Sequence, residues 1–260
     1  MRLGQWLLGF LVISIVVLAA VAGGKISAHP HRLTPESALE AVKMTRVFLE
    51  EDPDDYILRY DIGEKLMIAG KLDESEKELR IVLEYDPDFG MAWVRLAEIQ
   101  YFREKYDYAL ELLKNFKSKD EIEKYEYLVL KTSILIEQKE YEDALKTAEE
   151  AAAIDQSWFY QPDPRGAFYE SIMKKAVGKA ESPVHDVVEA LFKALEGFFA
   201  VEWYSGYIER FFTREEHIDI LEKVYSECHP DAPVVKQIKK KILELQKKGD
   251  KKKIGANSGK

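Results

Sequence analysis

Hydrophobic and small residues recur every 34 positions when the chain is laid out from Tyr56. The stretch YILRYDIGEKLMIAGKLDESEKELRIVLEYDP (Tyr56–Pro87) aligns with GMAWVRLAEIQYFREKYDYALELLKNF (Gly90–Phe116). Ile62-Gly63 falls on Leu96-Ala97, Leu72 on Tyr106, Ser75 on Ala109, Leu79 on Leu113 and Val82 on Phe116. A third copy, Tyr125–Asp155, starts one residue late and places Thr132, Leu135, Tyr141, Ala144, Ala148 and Ala151 on the same lattice. Upstream, SALEAVKMTRVFLEEDP matches the second half of a unit, with Ala41 and Phe48 in phase, and its Pro53 lies 34 residues before Pro87. A period of this length predicts stacked supersecondary units, each unable to bury its apolar face alone.

Each unit reads as two helices joined near a tight turn, at Gly70 in the first copy. The small residues Gly63, Ala97, Thr132 and Ser75, Ala109, Ala144 sit where two helix backbones cross closely, and Leu79, Leu113, Tyr106 and Tyr141 fill the adjoining gaps. Pro53 and Pro87 end the second helices. Beyond Asp155 the period fades while helices continue. WFYQPDPRG is a turn-rich break, and Ser182-Pro183 reads as N-cap and first helical residue. The next helix sets Val184, Val187, Val188, Leu191, Leu195 and Phe198 on one stripe. Thr213 with Glu216 forms a capping box, and a last helix opens at Asp231 and Pro233.

This lattice resembles the tetratricopeptide repeat family, of which about three and a half units cover residues 34–155. The resemblance implies an all-α, right-handed solenoid of helix pairs. Residues 156–248 then form a helical extension and cap, and 249–260 a disordered, Lys-rich tail. Two positions depart from the family: Lys131 stands where Leu is preferred, and Gln156 replaces the closing proline.

Composition changes this picture in three places. From Lys236 to the end there are ten Lys against Glu244 and Asp250, a net of +8, which leaves −17 for the rest. So acidic a body argues against wrapping nucleic acid. Cys228 is the one cysteine, so no internal disulfide exists. Between Arg2 and Lys25 lie 22 uncharged residues, about 33 Å as a helix against the ~30 Å of a bilayer core. Residues 1–25 are therefore expected to be one transmembrane signal anchor preceding the solenoid. The alternative is a signal peptide cleaved after Ala20-Val21-Ala22, its apolar run being long for that role. Either way the bulk is expected outside the cytoplasm, as a single-pass membrane protein of the anchored bacterial type or as a secreted or periplasmic one.

No nucleophile elbow, phosphate loop or metal-spacing signature is present, so neither a catalytic site, a cofactor nor a metal is expected. His29-Pro30-His31 reads as a polar linker, and Cys228 beside His229 as an idle thiol. The eight aromatics of Leu191–Phe212 read as helix-to-helix core. In the family, the first helix of each unit lines a concave face that often holds a peptide. The matching positions here include Tyr60, Glu64 and Met67; Met91, Val94, Glu98, Tyr101 and Phe102; and Val129, Ser133 and Ile136. Some members grip a terminal carboxylate with Lys and Asn at this face. Glu64 and Glu98 stand at two such positions here and disfavour that ligand. An aromatic, aliphatic groove with an acidic edge suits an apolar or basic peptide.

The expected function is a membrane-tethered protein-interaction scaffold, serving envelope assembly or maturation by resemblance. Two alternatives remain: an enzyme with a site in the irregular carboxy-terminal half, and a self-associating structural protein or homo-oligomer. Convergence of Tyr169, Glu170, His185, Glu189 and Tyr207 in one pocket would favour the enzyme.

Overall fold

The computed structural model describes residues 34–154, 163, 165–195, 201–228 and 232–257. Twelve helices occupy them: α1 Pro35–Glu51, α2 Tyr56–Ile68, α3 Leu72–Tyr85, α4 Gly90–Phe102, α5 Tyr106–Leu113, α6 Glu121–Gln138, α7 Tyr141–Ala152, α8 Arg165–Ala176, α9 Pro183–Leu195, α10 Val201–Phe211, α11 Arg214–Glu227 and α12 Pro233–Asn257. The pairs α2/α3, α4/α5, α6/α7 and α8/α9 each pack on themselves; the first three also pack on the next helix along, whereas α9 packs on α11, and the half unit α1 precedes them.

Local chemistry sets these boundaries. Asp55 and Asp120 cap α2 and α6 by accepting two backbone N–H bonds each, at 2.9–3.0 Å. Thr213 and Glu216 close the expected capping box on α11, and α9 starts at Pro183. Within pairs, Gly70, Glu104 and Lys139 take the left-handed conformation, with φ of 73°, 59° and 65°. Each lets the next N–H reach back to the carbonyl five residues earlier: Lys71 to Leu66, Lys105 to Gln100 and Glu140 to Leu135, at 2.8–2.9 Å. Gly178 (φ 72°) does the same for α8/α9, with Lys179 N–H on the Lys174 carbonyl at 2.8 Å. The turn therefore persists one pair beyond the point where the sequence period fades.

The repeated prolines also have a tertiary partner. Arg59 Nη2 donates to the Pro53 carbonyl at 2.8 Å, and Trp93 Nε1 to the Pro87 carbonyl at 2.9 Å. Two unlike donors, 34 residues apart, satisfy equivalent exposed carbonyls.

The close crossings stand where small residues stand. Gly63, Ser75, Ala97, Ala109, Thr132 and Ala144 are all buried. Ser75 Oγ donates to the Gly63 carbonyl at 2.7 Å, and a Cβ on Gly63 would lie 3.0 Å from Leu79 Cδ2. A fourth contact of this kind joins α8 to α7, where a Cβ on Gly166 would lie 3.1 Å from the Ala151–Ala152 backbone. Around these points Ile62 and Leu66, then Leu79, Leu96 and Ile99, then Tyr125, Ile136, Phe168 and Ile172 make three apolar clusters along the array. Lys131 is half-buried, its ammonium 5.8 Å from the Tyr127 ring centroid.

Two expectations require correction or comment. Among the described residues no helix is long and apolar enough to cross a membrane. The physical reason is that each carries a charged face: even the 18-residue α6 reads EIEKYEYLVLKTSILIEQ. Among the described residues the fold is the solenoid, and none of them forms the transmembrane or signal helix expected to precede it. Residues 1–25, on which that expectation rested, lie outside the described residues, as do His29, His31 and Gln156. The last helix runs to Asn257, into the stretch expected to be a disordered tail.

The crossings give a stability test. Gly63→Val should cost about 1–3 kcal/mol by overpacking against fully buried Leu79. Gly70→Ala, with open space around it, should cost about 1–2 kcal/mol from the left-handed backbone alone. Thermal unfolding followed by circular dichroism separates them from wild type; an unchanged Tm for Gly63→Val would show that the helices do not cross closely there.

Candidate functional site on the concave face

First helices that lie far apart in sequence meet on one side of the array, which makes that side the inner one. Tyr101 of α4 and Tyr207 of α10 bring their hydroxyls to 3.5 Å across 106 residues. Tyr207 also accepts from Tyr169 of α8 at 3.3 Å, and Tyr169 reaches Ser133 Oγ of α6 at 2.7 Å. Helix α10 thus lies across the carboxy-terminal part of the concave face. Arg210, one turn on, locks it by pairing with Glu137 at 2.7 Å and donating to the Ile136 carbonyl at 3.5 Å. Behind Tyr207 sits an aromatic cluster with ring centroids 4.7 Å apart for Phe168–Tyr204 and 5.3 Å for Tyr169–Tyr207. Burial pushes the phenols of Tyr101, Tyr169 and Tyr207 well above their ordinary range, so they stay neutral donors.

Beside this network runs a charge ladder over four first helices. Tyr60 donates to Glu64 at 2.7 Å; Arg95 bonds Glu64 at 2.8 Å and Glu98 at 2.9 Å, and approaches Glu126 to 3.7 Å. Arg165 pairs with Glu126 at 2.7 Å and with Asp163 at 2.8 Å. Burial by itself would lower the Arg95 pKa, but Glu98, Tyr60, Glu126 and Glu64 outweigh it and hold the guanidinium charged. The acidic edge expected from Glu64 and Glu98 is therefore largely neutralised from within.

The eleven expected groove positions divide by location. Val94, Val129, Ser133 and Ile136 are buried, and the last three lie in the region that α10 and α8 close over. Tyr60, Glu64, Met67, Met91, Glu98 and Tyr101 are half-buried. Phe102 is 54% exposed, and Ile68, one repeat earlier at the equivalent position, is 45% exposed. Tyr207 and Arg210 were not among the expected positions. The excess of aromatics in Leu191–Phe212 signalled a packing element, but no local pattern said onto which surface it folds.

The five residues whose convergence would favour an enzyme do not converge. Tyr169 and Tyr207 meet in the concave core, while Glu170 and Glu189 line a shallow cleft with Lys174 and Asp186. His185 pairs with Glu189 at 3.5 Å on an exposed helix face. Among the described residues no group of three or more His, Cys, Asp or Glu is placed to hold a metal.

Comparison with known proteins places the fold and no more. No family profile matches the chain, and no curated protein does. Among solved structures, yeast Tom70 matches with a TM-score of 0.52 at 15% identity, covering 83% of this chain and 47% of Tom70, so the chain spans about half of that protein's length. YrrB, a TPR protein with an unusual peptide-binding site, matches with a TM-score of 0.47 at 17% identity, over 76% of this chain and 99% of that one. MamA matches with a TM-score of 0.47 at 15% identity, over 62% and 91%. The chain has a right-handed, tetratricopeptide-like solenoid fold of helix pairs. The narrower reading, a membrane-anchored bacterial type held as a single-pass protein with its bulk outside the cytoplasm, is corrected. The likenesses are of fold, and no described helix is apolar enough to serve as a span.

The opposite side of α10 rests on a buried histidine. His217 of α11 is 1% exposed, its Nε2 is 3.3 Å from Ser205 Oγ, and its Nδ1 has no hydrogen-bond partner. Burial lowers its pKa to about 4, with Lys241 and Lys248 acting the same way and Glu209 opposing. Folded His217 therefore stays neutral where the unfolded chain takes up a proton. Its contribution is complete above pH 6.5 and is lost as pH falls from there to about 4, by ~3 kcal/mol. His217→Leu should flatten the urea-unfolding free energy over that window relative to wild type; parallel pH profiles would contradict this.

Proposed function

We propose that the chain is a protein-interaction scaffold that receives a partner segment on the amino-terminal part of its concave face. The observation that carries this reading is the pair Ile68 and Phe102. These apolar side chains sit at equivalent positions of consecutive first helices and stay exposed, on the helices that also carry half-buried Tyr60, Met67 and Tyr101. The neighbouring stretch of the same face already holds a helix, α10, which enters with a tyrosine and an arginine one turn apart. A partner helix or strand with an aromatic or aliphatic anchor and a cation uses the same chemistry further along. Because Arg95 already neutralises Glu64 and Glu98, apolar anchors should supply most of the affinity and the cation mainly register. Membrane tethering forms no part of this proposal.

A displayed peptide library selected on the wild-type chain should enrich ligands that lose at least tenfold in affinity, roughly 1.4 kcal/mol, with Ile68→Ala plus Phe102→Ala. Both side chains are exposed, so the Tm should hold. Selection of no ligand, or of ligands indifferent to the double variant, would place the binding surface elsewhere or abolish the proposal.

A further inference from the structure

The second helix of each pair lies between two neighbours: α3 packs on α2 and α4, α5 on α4 and α6, α7 on α6 and α8. Among the described residues the half unit α1 packs closely on α2 and touches α3 through Arg46, 3.6 Å from Glu78. Its outward face carries Met44, Val47 and Phe48, 60%, 57% and 55% exposed. At 100° per residue Glu36, Glu40 and Glu51 fall on the same face and frame these three at both ends, with Lys43 at its edge 2.8 Å from Glu40, so that the frame stays net acidic.

The other end of the array is its electrostatic inverse. Helix α12 turns Val235, Ile238 and Leu245 inward onto α10 and α11. On its outer face Lys236, Lys239, Lys240 and Lys247 surround Leu243, which is 54% exposed. Among the described side chains lining that face the one acid is Glu244, 3.8 Å from Lys240.

We propose that these ends dock on each other between copies of the chain, head to tail: the acid-framed apolar face of α1 in one copy seats on the lysine stripe around Leu243 in the next. Charge decides the arrangement. Neither end is self-complementary, since α1 on α1 would bring acid to acid and α12 on α12 lysine to lysine, whereas α1 on α12 matches sign and sets Leu243 against the Met44–Phe48 patch. The lengths agree: Glu36 to Glu51 spans about 22 Å of helix and Lys236 to Lys247 about 17 Å. An acidic body also disfavours a nucleic acid or an anionic lipid as occupant of the stripe, because the rest of the chain, at −17, repels it. The contact is heterologous, so it propagates rather than closing at a dimer. One helix layer buries less than the ~1,600 Å² of a standard interface, so assembly is weak and salt-sensitive.

Sedimentation velocity of the full chain over a concentration series, at low and at high salt, tests this. The wild type should show larger species as concentration rises at low salt and lose them at high salt. Lys239→Glu plus Lys240→Glu should weaken association at least tenfold, and so should Glu40→Lys plus Glu51→Lys. A chain carrying all four reversals should associate again, because both ends have exchanged sign. These positions are exposed, so helicity and Tm should match wild type in each variant. A wild type that stays monomeric throughout overturns the proposal, as does association that the reversals or salt leave untouched. A monomer that co-sediments with phosphatidylserine vesicles only while Lys239 and Lys240 are intact also overturns it, and gives the stripe to a lipid surface.

Discussion

The close approach of helix backbones at positions too small to hold them apart is the constraint on which the rest of this structure depends. Where Gly63 meets Leu79 and Ser75, no room remains for even a methyl group without displacing a fully buried leucine. Ala97 with Ala109 and Thr132 with Ala144 occupy the same places one and two units on, and Gly166 against Ala151 continues the contact into α8. Packing at this density tolerates little change in volume. Small side chains at fixed spacing therefore set both the crossing within a pair and the step between pairs. The left-handed turn residues Gly70, Glu104, Lys139 and Gly178 reverse the chain between the helices so that those contacts recur.

Stacking in this way leaves two kinds of unfinished surface, the inner curve and the ends. Much of the inner curve is closed by the chain itself. Helix α10 brings Tyr207 to Tyr101 and Tyr169 and sets Arg210 on Glu137, while Arg95 and Arg165 neutralise the carboxylates lining the first helices. Apart from Arg210, which is exposed, each of these polar groups is half-buried or deeper and would be costly without its partner. The network thus fixes where α10 lies as well as filling space. What remains open is the apolar amino-terminal stretch around Ile68 and Phe102, together with the oppositely charged outer faces of α1 and α12.

Much of this architecture was legible in one sequence because its causes are local or periodic. The 34-residue spacing marks residues that do the same job in successive units, and Asp55, Asp120, Thr213 and Pro183 mark helix starts through their own backbone chemistry. The fourth turn at Gly178 escaped the period because α8 and α9 are joined by a longer link, though its hydrogen bonding is that of the other three. The membrane-tethered reading drew on apolarity within residues 1–25. The described helices all carry charged faces and give that reading no support.

The sequence by itself determined that the chain is all-helical and paired, and where small residues permit close crossings, since these follow from periodicity and from side-chain size at each position. Only the tertiary structure decided which lattice positions stay accessible. Val129, Ser133 and Ile136 hold the lattice positions that Tyr60, Glu64 and Met67 hold in the first unit, yet they are buried where those are half-buried, because the array curves until α10 meets α4. Curvature is the sum of many small rotations between neighbouring helices. No single residue encodes it, so a contact spanning 106 residues, such as Tyr101 to Tyr207, cannot be read from spacing.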